Sequence, residues 1–317
     1  MKTENQIPQS ILPPGFSIGH WTDEAALTGC TVILCPPATV GGCDVRGSSP
    51  GSRELALLES EKTMNEVHAV LLTGGSAFGL AAADGVMQYL EEHDIGYKTP
   101  WVRVPIVPAA VIFDLNIGSK SVRPTAKSGY DACSDARRDA ILEGSVGAGT
   151  GATVGKWAGT EFRMKGGVGI AGVTRDTLSV TAVAVVNAVG DVIDEGGSIL
   201  AGARGNNKRW LAEQDPLRTF ARVPPRLSNT TLVAIMTNAR LTKVEVNRLA
   251  QRGHDGMARA IKPIHTSYDG DVVFGLACGE VAEAFDLVAE MGAEVTAQAI
   301  RRAVQMAKSV DGAPACR

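Results

Sequence analysis

The strongest constraint on how this chain folds is a set of strand-length apolar runs, set off by glycine and proline and alternating with longer stretches of helical spacing. EVHAVLLT at 66–73 reads as a buried strand, and SAFGLAAADGVMQYLEEH at 76–93 as the helix it feeds. Gly74-Gly75 suits the turn between them and Ser76 the helix start. VPIVPAAVIFDL at 104–115 is another apolar run, with prolines that suit an edge or a bend. SDARRDAILEG at 134–144 reads as a short helix stopped by Gly144. GGVGIAGVT at 166–174 and LSVTAVAVVNAVGDVID at 178–194 read as strands, the second turning at Gly190-Asp191. TTLVAIMT at 230–237 reads as a central strand, and DVVFGLAC at 271–278 as another. Residues 242–261 place Val246, Leu249, Ala250, Gly253, Met257 and Ile261 on one face at helical spacing. A long final helix with an Ala/Val/Met face spans 281–308, and the Gly-, Pro- and Asn-rich stretch 195–229 reads as a linker. The sum is mixed α and β with helices long enough to cover sheet faces. Helix, sheet, sheet and helix layers fit that inventory, but spacing alone does not prove them.

Composition narrows the function. Lys+Arg 31 against Asp+Glu 34 leaves a net charge of −3, without the basic block of a nucleic-acid or membrane-surface protein. The 36 glycines exceed the usual share and imply tight turns and close approach of backbone to backbone or ligand. Six cysteines show no CxxC or Cys/His ligand spacing and read as small buried hydrophobes. The N-terminal stretch is polar and proline-rich rather than a signal, and no run reaches the ~20 apolar residues of a membrane span. Cytoplasmic residence is therefore expected. His20, His68, His93, His254 and His265 form no ligand pattern, so neither metal nor cofactor is expected.

Two glycine motifs have plain readings. Gly47-Ser48-Ser49-Pro50-Gly51 matches the G-x-S-x-G of serine hydrolases, but Pro50 follows the serine where a helix should start, so a turn is the better reading. Gly147-Ala148-Gly149-Thr150-Gly151-Ala152 fits a relaxed dinucleotide fingerprint, yet it lies mid-chain and does not open a first βα unit. A loop packed close to a reactive group fits it better.

Asn229-Thr230-Thr231 is formally a glycosylation acceptor, a reading that falls away without a secretory signal. Its plain alternative is β-propensity at a strand start. Its chemical reading is that Thr230 becomes an N-terminus. A threonine hydroxyl is a poor nucleophile until its own α-amine, of pKa ~7.7–8, acts as its base. Nucleophile and base then come from one residue, which suits a chain without a histidine pattern. Asp269 and Asp271, in His265-Thr266-Ser267-Tyr268-Asp269-Gly270-Asp271, read either as a polar turn or as carboxylates delivered to a strand end. Asn187, inside the apolar VAVVNAVG, must find partners or aim an N–H at a developing oxyanion.

Taken together, DVRGSSPGSRE (44–54), LTGGSAFGLAAADGV (72–86), VPAAVIFDL (107–115), GAGTGATVGK (147–156), NTTLVAIMTNARLTK (229–243) and HTSYDGDVVF (265–274) are more specific than any one alone. In this order, from about Pro14 to the final helix, the chain resembles the DmpA-type aminopeptidases. That family includes L-aminopeptidase/D-amidase–esterases, β-peptidyl aminopeptidases and nylon-oligomer hydrolases. The resemblance implies an α+β fold, a four-layer αββα sandwich like that of N-terminal nucleophile hydrolases, in a precursor that cuts itself. It implies one domain cleaved into 1–229 and 230–317, with oligomers that are commonly tetramers. Cleavage then falls between Asn229 and Thr230, as in the nylon-hydrolase branch, and Thr230 is the nucleophile. The matching positions make Asp269 and Asp271 its supports and put Lys156 and Asn187 in the same site. Phe113 and Gly74-Gly75-Ser76 would line the substrate pocket. The nylon enzymes carry a tyrosine where Phe113 stands, so no hydroxyl is on offer there. The expected activity is hydrolysis of small peptides or amide oligomers, including the 6-aminohexanoate type. The competing expectation is an unprocessed metabolite- or nucleotide-binding protein that uses the glycine loops.

Overall fold

A computed structural model describes residues 11–205, 207–214 and 229–316. The principal strands are β1 (Ser17–Asp23), β2 (Thr28–Leu34), β3 (Val40–Val45), β4 (Ser52–Arg53), β5 (Ala69–Thr73) and β6 (Ala109–Val111), followed by β7 (Gly167–Arg175), β8 (Leu178–Asn187), β9 (Thr230–Ala239) and β10 (Val272–Val281). The principal helices are α1 (Ala82–Glu92), α2 (Ala126–Ser134), α3 (Lys243–Ala260) and α4 (Phe285–Gln305). One five-stranded sheet has the order β1-β2-β5-β6-β4 and the other β7-β8-β9-β10-β3. β9 runs antiparallel to β8 and parallel to β10. The parallel step needs a long crossover, and α3 supplies it.

The apolar runs lack polar alternation because both faces of the second sheet are covered. Val183, Val185, Leu232, Ala234, Met236, Val272 and Phe274 join Ile33, Val70, Leu72 and Ala110 of the first sheet in the central core. Their neighbours along the strands, Ala182, Ala184, Val186, Val233, Ile235 and Val273, face the other way into a core shared with α3 and α4. On the far side Val32, Ala69, Leu71 and Ala109 pack with Ala82, Ala83 and Val86 of α1 and Ala132 of α2. With successive strand residues pointing to opposite faces, the layers are helix, sheet, sheet and helix. This is the expected α+β sandwich.

Three expectations need correction. Residues 134–144 are not a helix: α2 lies earlier, and Ser128 Oγ accepts the Thr125 backbone N–H at 3.1 Å at its start. The segment after it is claimed by tertiary bonds: Arg137 N donates to Ile18 O at 3.0 Å, Ile18 N to Arg137 O at 2.9 Å, and Arg138 to Phe16 O at 2.8 Å. Ser76 caps nothing; it has φ +55° and opens a 3₁₀ segment, Ser76–Ala81, that leads into α1. The stretch 195–229 is not all linker, since Ile199–Ala201 pairs with Asp191–Ile193. The rest of that expectation, at 206 and 215–228 with Pro224 and Pro225, lies outside the described residues. No helix among the described residues is long and apolar enough to cross a membrane.

Candidate active site

Thr230 is the first residue of β9 and pairs with Asn187, the last residue of β8. Just before it, Asn229 forms a bridge with Asp269 in the turn that feeds β10. Strand ends of one sheet thus bring residues 187, 229–231 and 269–271 to one point. Asn229 N donates to Tyr268 O at 3.1 Å, and Gly270 N donates to Asn229 O at 2.8 Å. The Thr230 hydroxyl also donates to that carbonyl oxygen. Two donors therefore converge on the carbonyl of the 229–230 peptide bond. The Asn229 side-chain amide is buried, with neither of its polar atoms partnered among the described residues.

The two aspartates do different jobs. Asp271 is fully buried; its Oδ1 accepts Thr231 N at 2.7 Å and its Oδ2 accepts from His265 Nδ1 at 2.7 Å. Asp269 accepts Val189 N at 3.2 Å, Thr266 N at 3.2 Å and Thr266 Oγ1 at 2.6 Å. Burial, then the nearby Asp271 charge, pushes the Asp269 carboxyl up to about 6. Between the two, Gly270 leaves no room for a side chain: a Cβ would lie 2.5 Å from Ser49 O and 2.9 Å from Thr230 Oγ1. The tract that mimics a nucleophile elbow is a loop clasping this turn, with Arg46 N and Gly47 N on Asp271 O at 3.1 and 3.2 Å and Ser49 N on Asp269 O at 3.0 Å.

Lys156 and Asn187 form the opposite wall. Lys156 Nζ donates to Asn187 Oδ1 at 2.7 Å and Asn187 O at 3.1 Å. Burial drives the lysine well below its ordinary pKa, and the Asp269 charge opposes that only in part. The Asn187 amide answers the question its apolar strand posed: Oδ1 also accepts Thr153 N at 3.0 Å, and Nδ2 donates to Phe113 O at 3.1 Å. One N–H of Asn187 is thereby used and the other has no acceptor among the described residues. Phe113 reaches the cluster through its backbone carbonyl. Gly74-Gly75-Ser76 do not join it directly. Gly75 N donates to Asp114 Oδ1 at 2.7 Å and Ser76 N to Ile112 O at 3.0 Å, so the turn sits on the strand end beside Phe113.

The glycine tract at 147–152 is buried and closed on itself. Gly147 N donates to Thr22 Oγ1 at 2.8 Å and Ala148 N to Thr31 Oγ1 at 3.1 Å. Its carbonyls face inward too: Lys165 Nζ donates to Gly149 O at 2.8 Å and Ala152 O at 3.0 Å. A phosphate cradle needs free N–H groups, and here those of Gly147, Ala148, Gly149, Thr150 and Ala152 are taken, which weakens the nucleotide-binding alternative. The tract instead leads into Lys156, whose neighbour Trp157 donates through Nε1 to Asp191 Oδ1 at 2.9 Å. Sequence reasoning missed His265 as a participant; its only signal was its place six residues before Asp271.

Comparison with known proteins identifies the family. The model of Peptidase family S58 matches residues 14–316. A Mycobacterium leprae protein described as an uncharacterized aminopeptidase is 41% identical over 344 residues, which cover 95% of this chain and 91% of the relative. A 6-aminohexanoate-oligomer endohydrolase of Agromyces sp. is 35% identical over 278 residues, covering 84% of this chain and 74% of the relative. The L-aminopeptidase D-Ala-esterase/amidase of Ochrobactrum anthropi, described as a variant of the Ntn hydrolase fold, superposes with a TM-score of 0.72 at 16% identity, over 95% of this chain and 88% of that one. A Burkholderia sp. β-aminopeptidase gives 0.70 at 20% identity, over 98% and 90%. At those identities the two structures speak to the fold alone.

Proposed function

Since the chain belongs to peptidase family S58 and is a hydrolase of peptide or amide bonds, we propose that cleavage after Asn229 frees Thr230 as its N-terminal nucleophile. The observation that carries this reading is the convergence of the Thr230 hydroxyl and the Gly270 N–H on the Asn229 carbonyl. In maturation Thr230 Oγ adds to the Asn229 carbonyl carbon while Gly270 N–H stabilises the oxygen. The 229–230 C–N bond breaks, the nitrogen takes the proton given up by the hydroxyl, and Asn229 is left as an ester on Thr230. Water hydrolyses that ester, giving the Asn229 carboxylate and a free Thr230 amine and hydroxyl. The products are 1–229 and 230–317.

In turnover the Thr230 amine takes the hydroxyl proton as Oγ attacks a substrate carbonyl, and returns it to the leaving amine. Water then resolves the acyl-enzyme. The remaining N–H of Asn187 is the oxyanion donor, a role whose loss typically costs ~10²–10³ in rate. Lys156 holds Asn187 Oδ1 so that its Nδ2 faces inward, and Asp269 balances the charge of Lys156. Asp271 fixes the strand through Thr231 N.

The substrates are small peptides or amide oligomers. The cytoplasmic placement draws support from the free thiols of Cys30, Cys35, Cys43, Cys133 and Cys278. Oligomers of cleaved protomers, commonly tetramers, complete the reading, and Trp101, 86% exposed, is surface that assembly could cover. A panel of aminoacyl p-nitroanilides, β-peptides and aminohexanoate oligomers assigns the substrate and separates exo- from endo-cleavage. In that panel Thr230→Ala should abolish the amidase activity while Thr230→Ser keeps part of it. A Thr230→Ala protein as active as the wild type would overturn the reading.

A further inference from the structure

His265 lies behind the site and is not one of the residues that the chemistry above uses. Its Nδ1 lies 2.7 Å from Asp271 Oδ2, and the other oxygen of that carboxylate holds Thr231 N at 2.7 Å. Asp271 has no exposure at all, so the rotamer of its carboxylate is set by these two partners. The His265 backbone is held at φ +54°, a left-handed conformation uncommon outside glycine that tends to gather at functional sites. Its Nε2 is buried without a hydrogen-bond partner among the described residues, and its ring packs edge-to-face on His254 with centroids 4.8 Å apart. His254 is anchored in turn by Nε2, 3.1 Å from Asp44 O and 3.2 Å from Asp44 Oδ1. The arrangement has the form of a positioning chain, from β3 through two rings to one carboxylate oxygen.

We propose that His265 is a positioning residue for the nucleophile: its Nδ1–H fixes the Asp271 carboxylate so that Oδ1 grips Thr231 N–H and sets the Thr230 hydroxyl on line. The inference rests on the reading of Thr230 as nucleophile. It assigns His265 no proton transfer to substrate. A lost supporting hydrogen bond of this kind slows chemistry without weakening substrate binding.

The test must separate the hydrogen bond from the backbone strain. Glycine accepts φ +54° freely and offers no donor; asparagine also tolerates it and carries an amide N–H where the ring Nδ1 lies. His265→Gly should lower kcat about ten- to a hundredfold with KM held within about twofold. His265→Asn should return kcat to within about threefold of the wild type. A His265→Gly enzyme at wild-type kcat, a His265→Asn enzyme as slow as His265→Gly, or a loss confined to KM would each overturn the proposal. If His265→Gly does not fold, His265→Asn decides alone: within about threefold supports it, and more than about tenfold below overturns it. Thr230→Ala in the same assay keeps the two ideas apart. An active Thr230→Ala removes the nucleophile reading itself, whereas an inactive one beside an unimpaired His265→Gly removes only the role of His265.

Discussion

At the scale of residues, Asp269 and Lys156 are two charges taken out of water beside one reactive bond, and their titrations oppose each other. The folded Asp269 carboxyl sits at about 6, above the ordinary 3.8, because burial disfavours its anion. The fold therefore favours the acid form, and the stability it contributes is lost as pH rises through about 6. Activity should move the other way, because only the anion balances Lys156. A kcat/KM profile that rises through about pH 6 is expected, and Asp269→Asn should lose that limb along with most of the rate. The same limb surviving in Asp269→Asn would remove the carboxylate from the account. From the residues alone Asn187, Asp269 and Asp271 were legible as polar groups that needed partners, while Thr230 read first as a strand starter; their grouping as one candidate site came from the family resemblance. His265 was not legible, since a lone histidine carries no spacing signal and its partner is defined by a turn. Phe113 was read as a side chain and takes part through its carbonyl.

At the scale of elements, β5 of the first sheet and β7 to β10 of the second were plain to see, while β1 to β3 were not. β9, β10, α3 and α4 announce themselves by length and period, and each of the residues assigned to the inner face of 242–261 is buried. SIGHWTD, TGCTVIL and VGGCDV, the strands β1 to β3, are interrupted by glycine, threonine and cysteine. Glycine there marks close approach rather than a missing strand: a Cβ on Gly42 would lie 2.8 Å from Asn247 N of α3. Periodicity counts side chains and cannot register a backbone contact. β7 against α4 makes the same point, since a Cβ on Gly169 would run into the carbonyl of Ala299 and lie 2.9 Å from Ala303 Cα. Gly169→Ala should therefore destabilise the protein by ~1–3 kcal/mol through overpacking, leaving kcat per folded molecule intact. An unchanged unfolding midpoint would show that α4 can move aside at no cost.

At the scale of the whole molecule, the proposed cut divides the sequence but not the fold. Residues 1–229 hold the first sheet and β3, β7 and β8 of the second, while 230–317 hold β9, β10, α3 and α4. β3 reaches its sheet only by pairing with β10, and β8 is joined to β10 only through β9. The 1–229 part alone therefore has a second sheet split in two, so folding must precede cleavage. In that proposal the finished sandwich assembles the scissile bond, since Asn187, Asn229-Thr230 and Gly270-Asp271 come from three separate stretches of chain. The proposed cut leaves the register from Val180↔Thr237 to Asn187↔Thr230 untouched, so Thr230 would stay at the site. The most direct test is the intact mass of purified protein under denaturing conditions. The account predicts two polypeptides whose masses meet between Asn229 and Thr230, and one uncut chain for Thr230→Ala. A wild-type protein that hydrolyses amides while remaining a single chain of 317 residues would contradict it.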